Sequence, residues 1–217
     1  MEQIKQMEET LTESFLDHPA AVSLVARTGH VTRWHSVVTN RDQTLAEHHY
    51  LVTMYVVIMV DKIFGQDIKP DKKLLLFQYA MNHDLFEVIS GDIPSPFKEA
   101  ITSYCKDANI GNPLDDIEMK MIPFLTTIKE QIKHEPFFPL VKIADLLDAC
   151  VFIKAEGVGP HSKKVAEGLE QKLQKRIDDL IISFPEYAWN KISDLYEILL
   201  EQDQSKVKYE QLADLII

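Results

Sequence analysis

Apolar residues recur at three- and four-residue intervals along most of the chain, and that period predicts helices. The clearest stretch runs from about Thr44 to Phe64. There Leu45, Val52, Tyr55, Val56, Met59 and Ile63 share one face, and Gly65 marks the end. Pro70 opens a second segment, apolar nearly all round through Leu74, Leu75, Leu76, Phe77, Tyr79, Ala80 and Met81, expected to last to Ile89. Later helices are predicted at about 97–106, 114–133, 137–156, 161–183, 186–201 and 205–216, with Gly157, Gly159-Pro160 and Pro185 as breaks. Ahead of them, 2–16 reads as a short amphipathic helix and 19–28 as a second, opened by Pro19 and closed by Gly29. The stretch from His30 to Asp42 is polar and irregular, and the two prolines of Gly91–Pro96 make that segment a loop. No convincing strand occurs, and helix pairs recur without the fixed period of a solenoid. The expectation is an all-α bundle, with residues 1–26 as an N-terminal helical extension and 27–217 as the main domain.

Against this pattern, several polar residues stand where a core should be. His48 falls in the stripe of Val52 and Tyr55. A buried neutral histidine is common in cores, so His48 alone does not identify a site. Its neighbour His49 faces elsewhere and reads as surface or ordinary packing. His83 follows Leu76 and Ala80 at helical spacing, while Asp84 follows Phe77 and Met81 and precedes Val88. A carboxylate left ionised and unpaired on so apolar a helix costs roughly several kcal/mol. Two kinds of partner compete for it: Lys72 or Lys73 at the helix start, or a divalent cation held by the adjacent His-Asp pair. Glu87, three residues after Asp84 and four after His83, shares their face. Asp145 repeats the anomaly within Leu140–Leu147, with Lys142 one turn back as its alternative partner. Asp148, one turn on, reads either as a supporting acid or as surface charge. Two imidazoles and two carboxylates from three helices make an N2O2 set suited to a borderline divalent ion: Co2+, Mn2+ or Zn2+, with Mg2+ admitted. Such a set leaves positions open for water and a phosphate oxygen, and its charge supplies what phosphoester hydrolysis needs most.

Charge narrows the partners. With 23 basic and 34 acidic residues, the net charge of −11 argues against a nucleic-acid polymer, which calls for a basic face. A mononucleotide needs only one or two local cations and stays admissible. Cys105 and Cys150 are isolated and read as reduced thiols. The longest apolar run, Leu51 to Val60, is about half a membrane span. The acidic, amphipathic start lacks the basic and apolar regions of a signal peptide. These features predict a cytoplasmic protein without a membrane partner.

The residues also carry a resemblance. Arg33-Trp34 precedes Ala46-Glu47-His48; then come His83-Asp84-Leu85-Phe86-Glu87-Val88-Ile89-Ser90-Gly91-Asp92-Ile93-Pro94-Ser95-Pro96-Phe97-Lys98 and, later, Ala144-Asp145. This order resembles the HD superfamily, whose metal site is built as H…HD…D on helices, and within it the bacterial HD-domain 5′-deoxynucleotidases. The long block is highly specific, and the resemblance covers roughly 27–160. It implies an HD-domain helical bundle and a metal held by His48, His83, Asp84 and Asp145. It also implies Glu87 as the acid that activates or orients water, and Asp92 as its partner beside the leaving group. Arg33 is implied as the phosphate clamp, a role a guanidinium fork suits. Trp34 is implied to pack on the nucleoside and reject a ribose 2′-hydroxyl; as a bare residue it reads equally as core. The implied activity is hydrolysis of deoxynucleoside 5′-monophosphates to deoxynucleoside and phosphate by a homo-oligomer, dimer or higher. Related phage-type enzymes of the dATP triphosphohydrolase kind keep similar residues and form the alternative. A catalytically silent nucleotide-binding scaffold is a third reading, and Glu87 and Asp92 count against it. About a dozen extra residues before Arg33-Trp34 depart from the family pattern.

Overall fold

In the computed structural model, which describes residues 19–200, helices account for nearly all regular structure. They are α1 (Pro19–Arg27), α2 (Leu45–Phe64), α3 (Pro70–Asn82), α4 (Glu87–Ser90), α5 (Ser95–Ala108), α6 (Pro113–Met121), α7 (Pro123–Ile132), α8 (Leu140–Glu156), α9 (Gly159–Ser183) and α10 (Lys191–Leu200). A 3-10 turn, Thr28–His30, follows α1. The only pairings of strand type among the described residues are isolated bridges, Thr32 with Thr44 and Thr39 with Gly157. The helices expected at 2–16 and 205–216 lie outside the described residues, as does most of the expected 1–26 extension.

The central helix α2 starts where Thr44, in extended conformation, turns its hydroxyl to accept from the Glu47 backbone N–H at 3.1 Å. It ends at Gly65, whose φ of 55° is a left-handed value that favours glycine. On its buried stripe, Val52, Val56 and Met59 meet Leu76 and Ala80 of α3 and Leu140, Ile143 and Leu147 of α8. Each such side chain, fully withdrawn from water, contributes about 1.5–3 kcal/mol. α9 packs along α8, α10 closes against α8 and α2, and α7 packs on α3.

Proline and short-range hydrogen bonding move several expected boundaries. The helix expected over 70–89 stops at Asn82. Residues 83–86 tighten into turns whose bonds run from i+3 to i, such as Leu85 N–H to Asn82 O at 2.9 Å and Glu87 N–H to Asp84 O at 2.9 Å. A second apolar cluster holds this turn: Leu85, Phe86 and Val88 are buried with Leu45, Ile122 and Leu125. The helix expected over 114–133 is two helices, because Pro123 offers no N–H and restricts Ile122, which leaves helical geometry at φ −136° and ψ 63°. α8 starts later than expected, after Pro136 and Pro139, and α10 starts at Lys191 rather than 186.

The polar stretch between α1 and α2 is an ordered loop sewn to the frame at both ends. Arg33 N–H donates to Gln43 O and Leu45 N–H to Val31 O. At its tip, Asn40 N–H donates to Glu156 O, and Val38 O accepts from Val158 N–H. The loop therefore crosses the end of α8 and carries Arg33 and Trp34 over its flank.

Candidate metal centre and substrate cavity

Three elements converge on one buried point: α2 brings His48, the turn after α3 brings His83 and Asp84, and α8 brings Asp145. Ligand atoms of His48, His83 and Asp145 all lie within 4.8 Å of one another. Asp84 Oδ2 stands 3.4 Å from His83 Nε2 and 3.9 Å from His48 Nε2.

The two imidazoles are oriented from behind. His48 Nδ1 bonds Asp148 Oδ2 at 2.6 Å, and His83 Nδ1 donates to the Ala80 carbonyl at 2.8 Å. Those bonds place the ring hydrogens on Nδ1, leaving a lone pair on each Nε2. Both Nε2 atoms are buried and have no hydrogen-bond partner. Buried polar atoms rarely go unsatisfied. A cation explains these two, since metal-binding histidines characteristically anchor their second nitrogen to a carboxylate or carbonyl. The donor set fits a divalent metal.

Charge agrees with geometry. Burial, with Arg33 adding to it, holds His48 well below the usual histidine range, so the ring is neutral and able to bind a metal. Burial also opposes ionisation of Asp84 and Asp145. It is outweighed by positive charge, Lys98 beside Asp84 and Lys142 beside Asp145, so both stay well below the usual carboxylate range. The lysine beside Asp84 is Lys98, Nζ 3.4 Å away, and not Lys72 or Lys73. Those reach Glu135 and the Gly65 carbonyl instead.

Glu87 lies on the next turn, 1% exposed. Its Oε1 sits 2.6 Å from Lys98 Nζ, and Oε2 is buried without a partner. Burial and the nearby Asp84 charge push its carboxyl up to about 8, against the pull of Lys98. Asp92 follows Gly91, whose φ of 76° lets the chain reverse, and meets Arg33 Nε at 3.5 Å. Arg33 also reaches Asp148 at 3.4 Å and Asp145 at 3.9 Å. Trp34 is half-buried; its ring lies nearly parallel to Phe152, 5.9 Å between centroids, and its indole N–H donates to Gln43 Oε1 at 2.9 Å.

These groups face a cavity of about 690 Å3. Arg33, Trp34, His83, Asp84, Glu87, Asp92 and Asp145 all line it, and Lys129, Lys142, Lys164, Lys172 and His161 stand on its other walls. Volumes of this order suit small-molecule ligands.

Of three neighbours, the sequence left two open and missed the third. Asp148 is a buried acid behind His48, one of its two readings. His49 takes the packing reading and not the surface one: it is 4% exposed, with its ring 5.3 Å from that of His83, because α2 packs that flank against the turn. Gln43, fully buried, was not singled out, since a glutamine in a polar loop carries no periodic signal.

An all-helical frame with two imidazoles and two carboxylates in the order H…HD…D defines an HD phosphohydrolase. The family model described as 5′-deoxynucleotidase YfbR-like matches residues 21–187, and the chain belongs to that family. A dATP triphosphohydrolase of Acinetobacter phage SH-Ab 15497 is 29% identical over 83% of this chain and 91% of its own. The 5′-deoxynucleotidase VP0926 of Vibrio parahaemolyticus is 26% identical over 82% of this chain and 94% of its own. Among solved structures, the HD phosphohydrolase DatZ of cyanophage S-2L, bound to dA and one catalytic Zn2+ ion, superposes with a TM-score of 0.67. That likeness, at 23% identity over 83% of this chain and 96% of the other, is one of fold. No helix among the described residues is long and apolar enough to cross a membrane.

Proposed function

We propose that the chain hydrolyses deoxynucleoside 5′-monophosphates to the deoxynucleoside and phosphate, with His48, His83, Asp84 and Asp145 holding a divalent metal. The observation that carries this is Glu87: a buried carboxyl of raised proton affinity on the same cavity wall as the unpartnered His83 nitrogen. A catalytic acid–base group works best with a pKa near the operating pH. When bound, the metal supplies positive charge at the phosphoryl group and makes water a better nucleophile. Glu87 accepts or returns the proton of the attacking water, and Lys98, 2.6 Å away, holds its charged form in place. Arg33 clamps the phosphate: its contacts to Asp92, Asp145 and Asp148, all 3.4–3.9 Å, are long enough to yield to a dianion. Asp92 steadies Arg33 beside the leaving oxygen. Trp34 walls the sugar, where a ribose 2′-hydroxyl would lose its partner; an unsatisfied buried hydroxyl costs about 1–3 kcal/mol, roughly five- to 150-fold.

A second reading, release of tripolyphosphate from a deoxynucleoside triphosphate, is favoured by further cations on the cavity walls, Lys129 and Lys164 beside the ion-paired Lys142 and Lys172. They exceed what one phosphate requires. The name of the phage relative points the same way. Product analysis separates the two. Incubated with Co2+ and each deoxynucleotide in turn, the enzyme is expected to release inorganic phosphate from monophosphates. Tripolyphosphate from a triphosphate, with monophosphates untouched, would replace the first reading by the second. Absence of turnover on every deoxynucleotide would remove both.

A further inference from the structure

Gln43 sits in a loop yet is fully buried, and every polar atom of its head is used. Its Oε1 accepts from Trp34 Nε1 at 2.9 Å and Arg33 Nη1 at 3.4 Å. Its Nε2 donates to Asp148 Oδ2 at 2.9 Å, the same oxygen that bonds His48 Nδ1 at 2.6 Å. Its own carbonyl accepts the Arg33 N–H at 2.9 Å. An indole N–H and a guanidinium only donate, and a carboxylate accepts, so the amide can face only one way. Glutamate would set a second carboxylate against Asp148, and an apolar residue would strand the indole, the guanidinium and the acid together.

The backbone supports the same picture. Trp34 has φ 70°, a left-handed value that is costly for a residue with a Cβ. Its stacking on Phe152 and its bond to Gln43 hold it there. Strain retained at a cavity wall calls for surroundings that over-determine the residue.

We infer that Gln43 is a positioning residue that sets the substrate-facing pair Arg33–Trp34 in register with the metal-facing imidazole of His48, through Asp148. The relay rests on the roles proposed for those residues, but its first test does not use turnover. With 15N-labelled tryptophan, the indole N–H resonances of Trp34 and Trp189 are followed as Zn2+ is added, and Trp34→Phe assigns them. In the wild type, Zn2+ is expected to shift the Trp34 resonance. In Gln43→Met, close in shape but without the polar head, that shift is expected to vanish and Zn2+ affinity to fall about 10- to 100-fold, the usual cost of losing an outer-shell partner. The second readout is kcat/KM for dAMP and AMP, whose ratio should fall at least about fivefold in Gln43→Met.

Trp34→Ala should lower the ratio and keep Zn2+ affinity, and Asp148→Asn the reverse; Gln43→Met alone should move both. A residue serving stability only would lower the melting temperature and leave both readouts where they were, and that result overturns the relay. So does a Gln43→Met protein in which just one of them moves. If Gln43→Met does not fold, Gln43→Glu, which has the same shape, is read by the same criteria. A wild type indifferent to the sugar sinks the proposed role of Trp34 alone; the resonance shift then decides the relay.

Discussion

Burial and the Asp84 charge raise the proton affinity of Glu87 to about 8 from an ordinary 4.5, so near neutral pH its carboxyl is shared between both forms. This state has a consequence for the metal-free protein. Across that interval the folded chain binds the proton more tightly than the unfolded chain, so the contribution of Glu87 is full below about pH 4.5 and is lost as pH rises through 8. Asp148, pushed up to about 7 from 3.8 by burial against the pull of Arg33, acts in the same direction. The buried neutral His48 and His49 act in the opposite direction up to about pH 6.5, so urea unfolding of metal-free protein is expected to show stability falling between about pH 6.5 and 8, and Glu87→Gln should flatten part of that slope. With metal restored, the same variant should keep its ion and lose about 10²–10⁴-fold in turnover. A flat pH profile, or near wild-type turnover, would take Glu87 out of the chemistry. The carboxylates on apolar faces were legible in the sequence because each breaks a helical pattern. Gln43 and His49 were not: the first is polar within a polar loop, and the burial of the second depends on how α2 meets a turn that begins 34 residues further on, at His83.

Elements carried their own signals unevenly. α2 was readable end to end, since the Thr44 cap, the apolar stripe and Gly65 all agree. The turn after Asn82 was not, because Leu85, Phe86 and Val88 continue an apolar run that only tertiary packing, against Ile122 and Leu125, bends out of the helix. Yet the turn keeps right-handed winding, with His83 at φ −58° and ψ −27°, so His83, Asp84 and Glu87 stay together as the helical spacing implied. The break at Pro123 had a local signal that the 3.6-residue pattern overrode. The junction of α8 and α9 is where element and site meet. Gly157 ends α8 under the loop that carries Arg33 and Trp34, in bridge contact with Thr39. A Cβ there would lie 2.5 Å from the Ile153 carbonyl and 2.8 Å from Ser162 Cβ, neither of them the end of a flexible chain. Gly157→Ala is expected to destabilise by about 1–3 kcal/mol, the usual cost of overpacking. It should also raise KM for the nucleotide, as the loop lifts with the helix end. An unchanged unfolding midpoint together with unchanged KM would show the junction to be tolerant.

At the scale of the whole molecule, the proposed metal site is a tie between parts of the chain that are distant in sequence. His48 belongs to α2, His83 and Asp84 to the turn beyond α3, and Asp145 to α8; α2, α3 and α8 share one buried core, and a second apolar cluster holds the turn against Leu45 of α2. Without a cation, the fold keeps two carboxylates and two unpartnered imidazole nitrogens facing one another out of water. Unfolding separates the four residues and destroys the site, so a metal that binds them stabilises the folded chain alone, by about 2.7 kcal/mol at 100 times its dissociation constant. For a chain of this size each kcal/mol moves the melting temperature by about 2–4 °C. Zn2+ or Co2+ at that excess is thus expected to raise the melting temperature of chelator-treated protein by roughly 5–11 °C, climbing logarithmically with concentration. His83→Ala and Asp145→Ala should lose the shift. Glu87→Ala should keep it, because Glu87 stands beside the cluster without joining it. Scanning calorimetry across a metal titration reads all four proteins in one experiment. An equal shift in Asp145→Ala would mean that the ion binds elsewhere, and no shift in the wild type would leave the paired imidazoles without the cation their geometry calls for.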